Sequence, residues 1–206
     1  MSVYPILLWS RSADVLNTPA AAVDFCLGDE PEQQTLVKVL LAELVWHLTE
    51  TLYASSQPPL RGVAISAPQI GVGLRVAVID VTSIAHASGE KPKPATPLVL
   101  VNPFLVSWSG KKRESEGCLS FPTLAVHIDR PAALSVAYQD ANGQMQSLEA
   151  TGLLARCLAH ELDHLDGRVI AHRCGPGARD QLNAKVRRLG RRLKLPAYLP
   201  SAGGAA

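Results

Sequence analysis

The chain has 206 residues and a formal net charge of +2, with 47% hydrophobic, 18% charged and only 5% aromatic residues. That is about one domain's length, rich enough in aliphatic residues for a sizeable core and too poor in charge for a largely disordered protein. No stretch reaches the ~18 apolar residues of a membrane span; the best, 36–46, carries Lys38 and Glu43.

The start, MSVYPILLWSRS, lacks the basic region and small-residue cleavage pattern of a secretion signal. A soluble, cytoplasmic domain is expected. Residues 1–167 hold 11 Lys/Arg against 17 Asp/Glu, whereas residues 168–206 hold 9 against 1. Such a basic tail suits either a solvated surface helix or a polyanionic partner such as RNA. The four cysteines, Cys26, Cys118, Cys157 and Cys174, form no CxxC pair and no disulfide framework.

In chain order, the first periodic segment predicts a helix from about Glu30 to Tyr53. Val37, Leu40, Leu41, Leu44, Val45, Leu48 and Leu52 fall on one face. Asp29 with Glu32 resembles a capping box, and Pro31 suits the first turn. A loop follows from Ser55 to Leu60. Arg75–Val81 and Pro97–Val101 read as buried strands, separated by a Pro/Lys/Gly loop over His86–Thr96. Ala133–Tyr138 is a strand, and Asn142-Gly143 turns it into a partner over Gln144–Leu148.

A second helix is predicted over Gly152–Leu165, with Thr151 as N-cap and Gly167 as its stop. A third, basic helix runs from about Ala178 to Leu195, and 196–206 reads as a disordered tail. The fold class is α+β: short antiparallel strands around a buried helix, with an N-terminal helix and a basic C-terminal helix, in one domain over 1–195.

The second helix carries chemistry. Leu153, Leu154, Cys157, Leu158, Leu162 and Leu165 make it apolar over a wide arc, yet its centre reads His160-Glu161-Leu162-Asp163-His164. Histidines at i and i+4 lie one turn apart and can converge on one metal ion, with Glu161 within reach of a polarised water. Buried charges need partners, which argues against a chance match. A catalytic metal with two imidazoles needs a third ligand and one open position. The HExxHxxGxxH spacing fails, because Ile170 stands at the third position and His172 lies two residues late. Upstream, Cys118 in Glu116-Gly117-Cys118-Leu119-Ser120 offers a thiolate, although a lone cysteine is more often a small buried hydrophobe. Gly117 suits a close backbone approach.

Together, EGCLS and HELDH resemble peptide deformylase. That family's three motifs occur here in order: Gly62-Val63-Ala64-Ile65-Ser66-Ala67-Pro68-Gln69, then EGCLS, then HELDH within GLLARCLAHELDHLDG. The resemblance covers roughly 30–195. It implies that Cys118, His160 and His164 ligate one divalent metal ion, iron(II) in the cell with zinc or nickel as replacements. It makes Glu161 the general base and then proton donor, and Gln69 and the Leu119 N–H the oxyanion donors. It implies a substrate in the N-formyl-methionyl end of a new bacterial polypeptide, with formate as a product. Val63, Leu153 and Cys157 would line the methionine pocket, and Gly62 and Ala64 would bind substrate beside them. Bacterial members dock a C-terminal helix at the ribosomal exit tunnel, so Lys185, Arg187, Arg188, Arg191, Arg192 and Lys194 are candidates to meet rRNA phosphates. No membrane or DNA partner is expected.

Four features depart from the family pattern: Ala64 for a glycine, Ser66 for an alanine, Ala159 for the glutamine before HExxH, and the Phe121–Ala125 stretch, which lacks a glycine after proline. All surround the expected cleft. A methyl at Ala64 would narrow it or conflict with a positive φ. Two alternatives stay open: an HExxH peptidase with a downstream His or Glu ligand, and a deformylase-like protein with altered substrate or ribosome binding without turnover. His47, His86, His127 and His172 have no motif spacing. Cys26 and Cys174 read as ordinary thiols, and Glu116 and Arg130 as a candidate ion pair behind Cys118.

Overall fold

The computed structural model describes residues 6–7, 13–26, 30–56, 62–87, 97–122 and 124–192. After a single helical turn, α1 (Ala13–Leu16), comes α2 (Pro31–Ser55), the longest helix among the described residues. Glu30 precedes it in extended backbone with no side-chain cap, while Asp29 lies outside the described residues. Pro31 opens the helix as expected. The expected apolar face is only partly buried. Leu41, Leu48 and Leu52 enter the core with Thr51 and Ser55, whereas Leu40 is exposed.

Five strands form one antiparallel sheet in the order β1-β2-β3-β6-β7: β1 (Ala64–Ser66), β2 (Val76–Ile79), β3 (Leu98–Ser109), β6 (Ala133–Gln139) and β7 (Met145–Thr151). A separate antiparallel pair joins β4 (Lys112–Gly117) to β5 (Ala125–Arg130), with Glu116 opposite Val126. The Asn142-Gly143 turn is present, with Gly143 at φ 84, and sets β6 against β7 in continuous register.

Two expectations need correction. The strand expected to end at Val101 continues to Ser109, and it shifts register against β6 twice on the way. The segment after β2 is a helix, α3 (Val81–Ala87). Asp80 starts it: one carboxylate oxygen accepts from the Thr82 and Ser83 N–H groups, and the other from the Ser83 hydroxyl. Residues 88–96 and the tail 193–206 lie outside the described residues.

α4 (Gly152–Leu165) has the expected bounds. Gly152, at φ 58, turns the chain out of β7, and Thr151 precedes the helix in extended backbone without a side-chain cap. Ala155, Cys157, Leu158 and Leu165 pack into a cluster with Ala77, Ile79, Leu100 and Val136 of the large sheet. A second cluster joins α2 to the other side of β1 and β2 through Leu48, Leu52, Ile65 and Val78. A short step, α5 (Ile170–Arg173), and a 17-residue helix, α6 (Pro176–Arg192), complete the described chain. Leu182 anchors α6 beside Ile170, Ile128 and Phe121.

Candidate active site

Three distant stretches meet at one end of α4. A 3-10 turn, Ala67–Ile70, follows β1 and holds Gln69; the loop after β4 holds Cys118 to Ser120; α4 supplies His160, Glu161 and His164. The 3-10 turn stops at Gly71, where φ is 89, a conformation L side chains rarely adopt. Gln69 is fixed by its own turn. Its Oε1 accepts from the Ser66 N–H at 3.0 Å and the Ser66 hydroxyl at 3.2 Å. Its Nε2 therefore points the other way, 3.3 Å from Ser120 Oγ and 3.7 Å from Cys118 Sγ.

Cys118 Sγ lies 3.3 Å from His164 Nε2, which lies 3.2 Å from His160 Nε2. The ligand atoms of these three side chains all fall within 4.8 Å of one another, the only such group of His, Cys, Asp or Glu among the described residues. His160 Nδ1 sits 2.6 Å from Glu116 Oε1. A carboxylate only accepts, so Nδ1 carries a proton and Nε2 is the atom turned towards the sulfur and the second imidazole. One soft sulfur and two borderline nitrogens converging in a buried corner fit a divalent transition metal with a free position. His172 is elsewhere: its Nδ1 accepts from the Val169 N–H, so it supplies no third ligand to the helix pair.

Glu161 is 3% exposed, and its Oε2 has no protein partner. Burial pushes its carboxyl up to about 7, against the pull of His160 and the Ser66 hydroxyl. Burial also lowers the His164 imidazole, reinforced by the neighbouring His160. At His160 burial acts in the same direction, but the Cys118 sulfur and Glu116 outweigh it and hold the ring well above its ordinary value. Cys157 is pushed up to about 12 by burial, which makes it an inert wall.

Behind the histidines lies a buried charge array. Burial opposes ionisation of Glu116, yet hydrogen bonds from His160 and Arg130 hold it far below the usual carboxylate range. Arg130 grips both Glu116 oxygens, through Nη2 at 2.6 Å and Nε at 3.0 Å. Its Nη1 reaches Asp163 Oδ2 at 2.5 Å. Arg156 Nη1 donates to Glu116 Oε2 at 3.0 Å, and its Nε to Glu114 at 3.2 Å. The sequence pairs Glu116 with Arg130; it leaves Arg156, Asp163 and Arg173 out. For Arg156 and Asp163 the signal was available, since charges within an otherwise apolar helix must find partners; Arg173, in α5, carries no such signal.

A cavity of about 390 Å³ opens onto these groups. Gly62, Val63, Ala64, Gln69, Cys118, Leu119, Leu153, Cys157, His160 and Glu161 all line it. Phe121, Leu124 and Ala125 also line it, as expected of a stretch beside the cleft, and so does Arg156, which the sequence motifs do not reveal. Gly62 packs closely, since a Cβ there would lie 3.0 Å from the methyl groups of Leu119, which would have to shift slightly. Gly117 is not crowded: a Cβ would meet only the Leu124 carbonyl at 3.7 Å. Ala64 sits in β1, and Asn102 alone among the described non-glycine residues has a positive φ, so the Ala64 methyl causes no backbone strain.

Comparison with known proteins agrees with this geometry. The Polypeptide deformylase family model matches residues 8–180. A peptide deformylase of Bartonella tribocorum is 38% identical over 154 residues, 74% of this chain and 80% of that protein. Peptide deformylase 2 of Xanthomonas campestris pv. campestris is 34% identical over 189 residues, 92% of this chain and 97% of that protein. The crystal structure of a peptide deformylase from Legionella pneumophila superposes with a TM-score of 0.72 at 30% identity, covering 94% of this chain and 98% of that one.

Proposed function

The chain belongs to the peptide deformylase family, and on that premise we propose that it hydrolyses the N-formyl group from formyl-methionyl ends of nascent polypeptides, releasing formate. The observation that supports this most directly is the convergence of Cys118, His160 and His164, with Cys118, His160 and the unpartnered carboxylate of Glu161 facing one cavity and His164 buried behind them. Cys118, His160 and His164 would hold one divalent ion, iron(II) in the cell, with zinc or nickel able to replace it. Such an ion supplies Lewis acidity, making water nucleophilic near neutral pH.

The protein's own groups do the rest. Glu161 takes the proton of the attacking water on its carboxylate and returns it to the departing amine. Gln69 Nε2, turned towards the cluster by Ser66, donates to the carbonyl oxygen as it gains charge, together with the Leu119 N–H. Preorganised neutral donors of this kind contribute about 3–4 kcal/mol each. Val63, Leu153 and Cys157 form the wall against which the methionine side chain packs, and Gly62 and Ala64 bind substrate beside them. Glu116 keeps His160 in the tautomer that presents Nε2.

The basic helix α6 exposes Lys185, Arg187 and Arg188. We assign these residues to rRNA phosphates at the ribosome, with Arg191 and Arg192 further along the helix and Lys194 outside the described residues; the cytoplasm is the compartment such a partner requires. No described helix is long and apolar enough to cross a membrane. Formate release from a formyl-Met peptide tests the reaction, with bound metal quantified and wild type run beside Glu161→Ala. Turnover that is lost in the variant while metal stays bound is the expected result. Absence of turnover in metal-loaded wild type would overturn the assignment.

A further inference from the structure

Asp163 stands one residue before His164 but faces away from the ligand cluster. Its buried carboxylate is shared by two guanidiniums. Oδ2 accepts from Arg130 Nη1 at 2.5 Å and Arg173 Nε at 2.8 Å, and Oδ1 accepts from Arg173 Nη2. Arg130, 3% exposed, is therefore clamped between Asp163 and Glu116, with the Ala159 carbonyl as a further acceptor. The line of contacts runs Arg173–Asp163–Arg130–Glu116–His160, ending on the Nδ1 whose hydrogen bond sets the aim of Nε2. Every member except Arg173 and His160 is less than 9% exposed. Arg173 itself is partly open to solvent, at the end of α5 and three residues before the basic helix α6 begins.

We propose that Arg173 is a positioning residue for the metal site, acting on His160 through Asp163, Arg130 and Glu116. Without Arg173, Asp163 Oδ1 loses its donor and the Asp163 charge rests on Arg130 alone. A buried carboxylate does not stay half-paired. Arg130 is then drawn towards Asp163, its two-point grip on Glu116 slackens, and the carboxylate that orients His160 is no longer held on both oxygens. Partners one shell beyond a metal ligand set the ligand's orientation and the retention of the ion. Because α5 leads directly into α6, the seat of the basic helix and the aim of a candidate ligand share this one side chain.

The inference rests on the metal-site reading of Cys118, His160 and His164, so its test reads metal retention rather than turnover. Wild type, Arg173→Met and Arg173→Lys are loaded with cobalt(II), their visible absorption is recorded, and loss of the bands is followed after adding excess chelator. Arg173→Met should release cobalt about tenfold faster, the lower end of the effect of losing an outer-shell partner, with shifted bands. Arg173→Lys should restore retention to within about threefold of wild type, as expected if a charged donor to Asp163 is what matters. Unchanged release and unchanged bands in a folded Arg173→Met overturn the inference and leave the metal reading standing. Failure of wild type to hold cobalt overturns both. If Arg173→Met does not fold, Arg173→Gln, which keeps a donor without charge, is read in the same way.

Discussion

The two long helices that flank β1 invert the usual relation between composition and burial. α2 is apolar around most of its circumference, yet Leu36, Val39 and Leu40 are 55–58% exposed. α4 carries Arg156, Glu161, Asp163 and His164 at its core, all at 5% exposure or less. The difference lies in what each helix is packed against. α2 lies on one side of β1 and β2 and needs only a narrow stripe, while α4 is enclosed by the large sheet, the β4–β5 pair and α5. Within that enclosure Arg156 and Asp163 meet partners of opposite sign, whereas Glu161 Oε2 and His164 Nδ1 meet no protein partner, and the unpaired carboxylate is the exception where chemistry is expected.

The comparison can be broken most severely at that exception. Glu161→Gln should retain its metal and lose about 10²–10⁴-fold in formate release, the range for a positioned acid–base group. A loss smaller than tenfold would make the buried carboxylate structural. Next comes the array behind it. Arg130→Met leaves both Glu116 and Asp163 under-paired, and urea unfolding should show a loss of about 3–5 kcal/mol, as for other broken buried pairs. In α2, Leu48→Ala should cost about 2–5 kcal/mol by opening a cavity in the core.

A smaller effect appears in the pH dependence of chelator-stripped protein. The Glu161 carboxyl rises from 4.5 to about 7 on folding. A raised carboxyl favours the fold while protonated, so its contribution is complete below pH 4.5 and is lost as pH rises through about 7. Between these limits wild type should lose urea stability faster than Glu161→Gln, which has no such proton to lose. Parallel curves would remove the assigned cause. The smallest effect is expected at Leu40→Ala, on the open face of α2, where unfolding should shift by no more than about 0.5 kcal/mol.

Much of α4 was legible because a single local pattern specifies it. Its apolar arc fixes the period, Thr151 and Gly167 mark its limits, and His160 and His164 share a face by arithmetic. The family motifs brought Gln69, Cys118 and Glu161 into view, and Glu116 with Arg130 was readable as a pair. β3 beyond Val101, β4 and β5 were not legible in the same way. Residues 102–117 alternate weakly, carry Pro103 and Gly110, and turn polar where strand pairing, not burial, holds them. α3 was missed although Asp80, Thr82 and Ser83 form a recognisable start. The Asp163–Arg173 contact needed the tertiary fold, since neither residue's neighbours in sequence announce the other.

Gly167 has a further consequence. Its φ is 70, and a Cβ there would lie 2.7 Å from the backbone of Thr18. Ala20 donates its N–H to the Leu165 carbonyl, and Arg75 reaches the same oxygen. The last turn of α4, which carries His164, is thus spliced to a strand of chain some 145 residues earlier. Amide hydrogens at Ala20 and at the end of α4 should consequently exchange with solvent as one cooperative unit. The stretch Asn17–Ala20 is then a buttress, and shortening it would loosen the helix end where His164 is fixed.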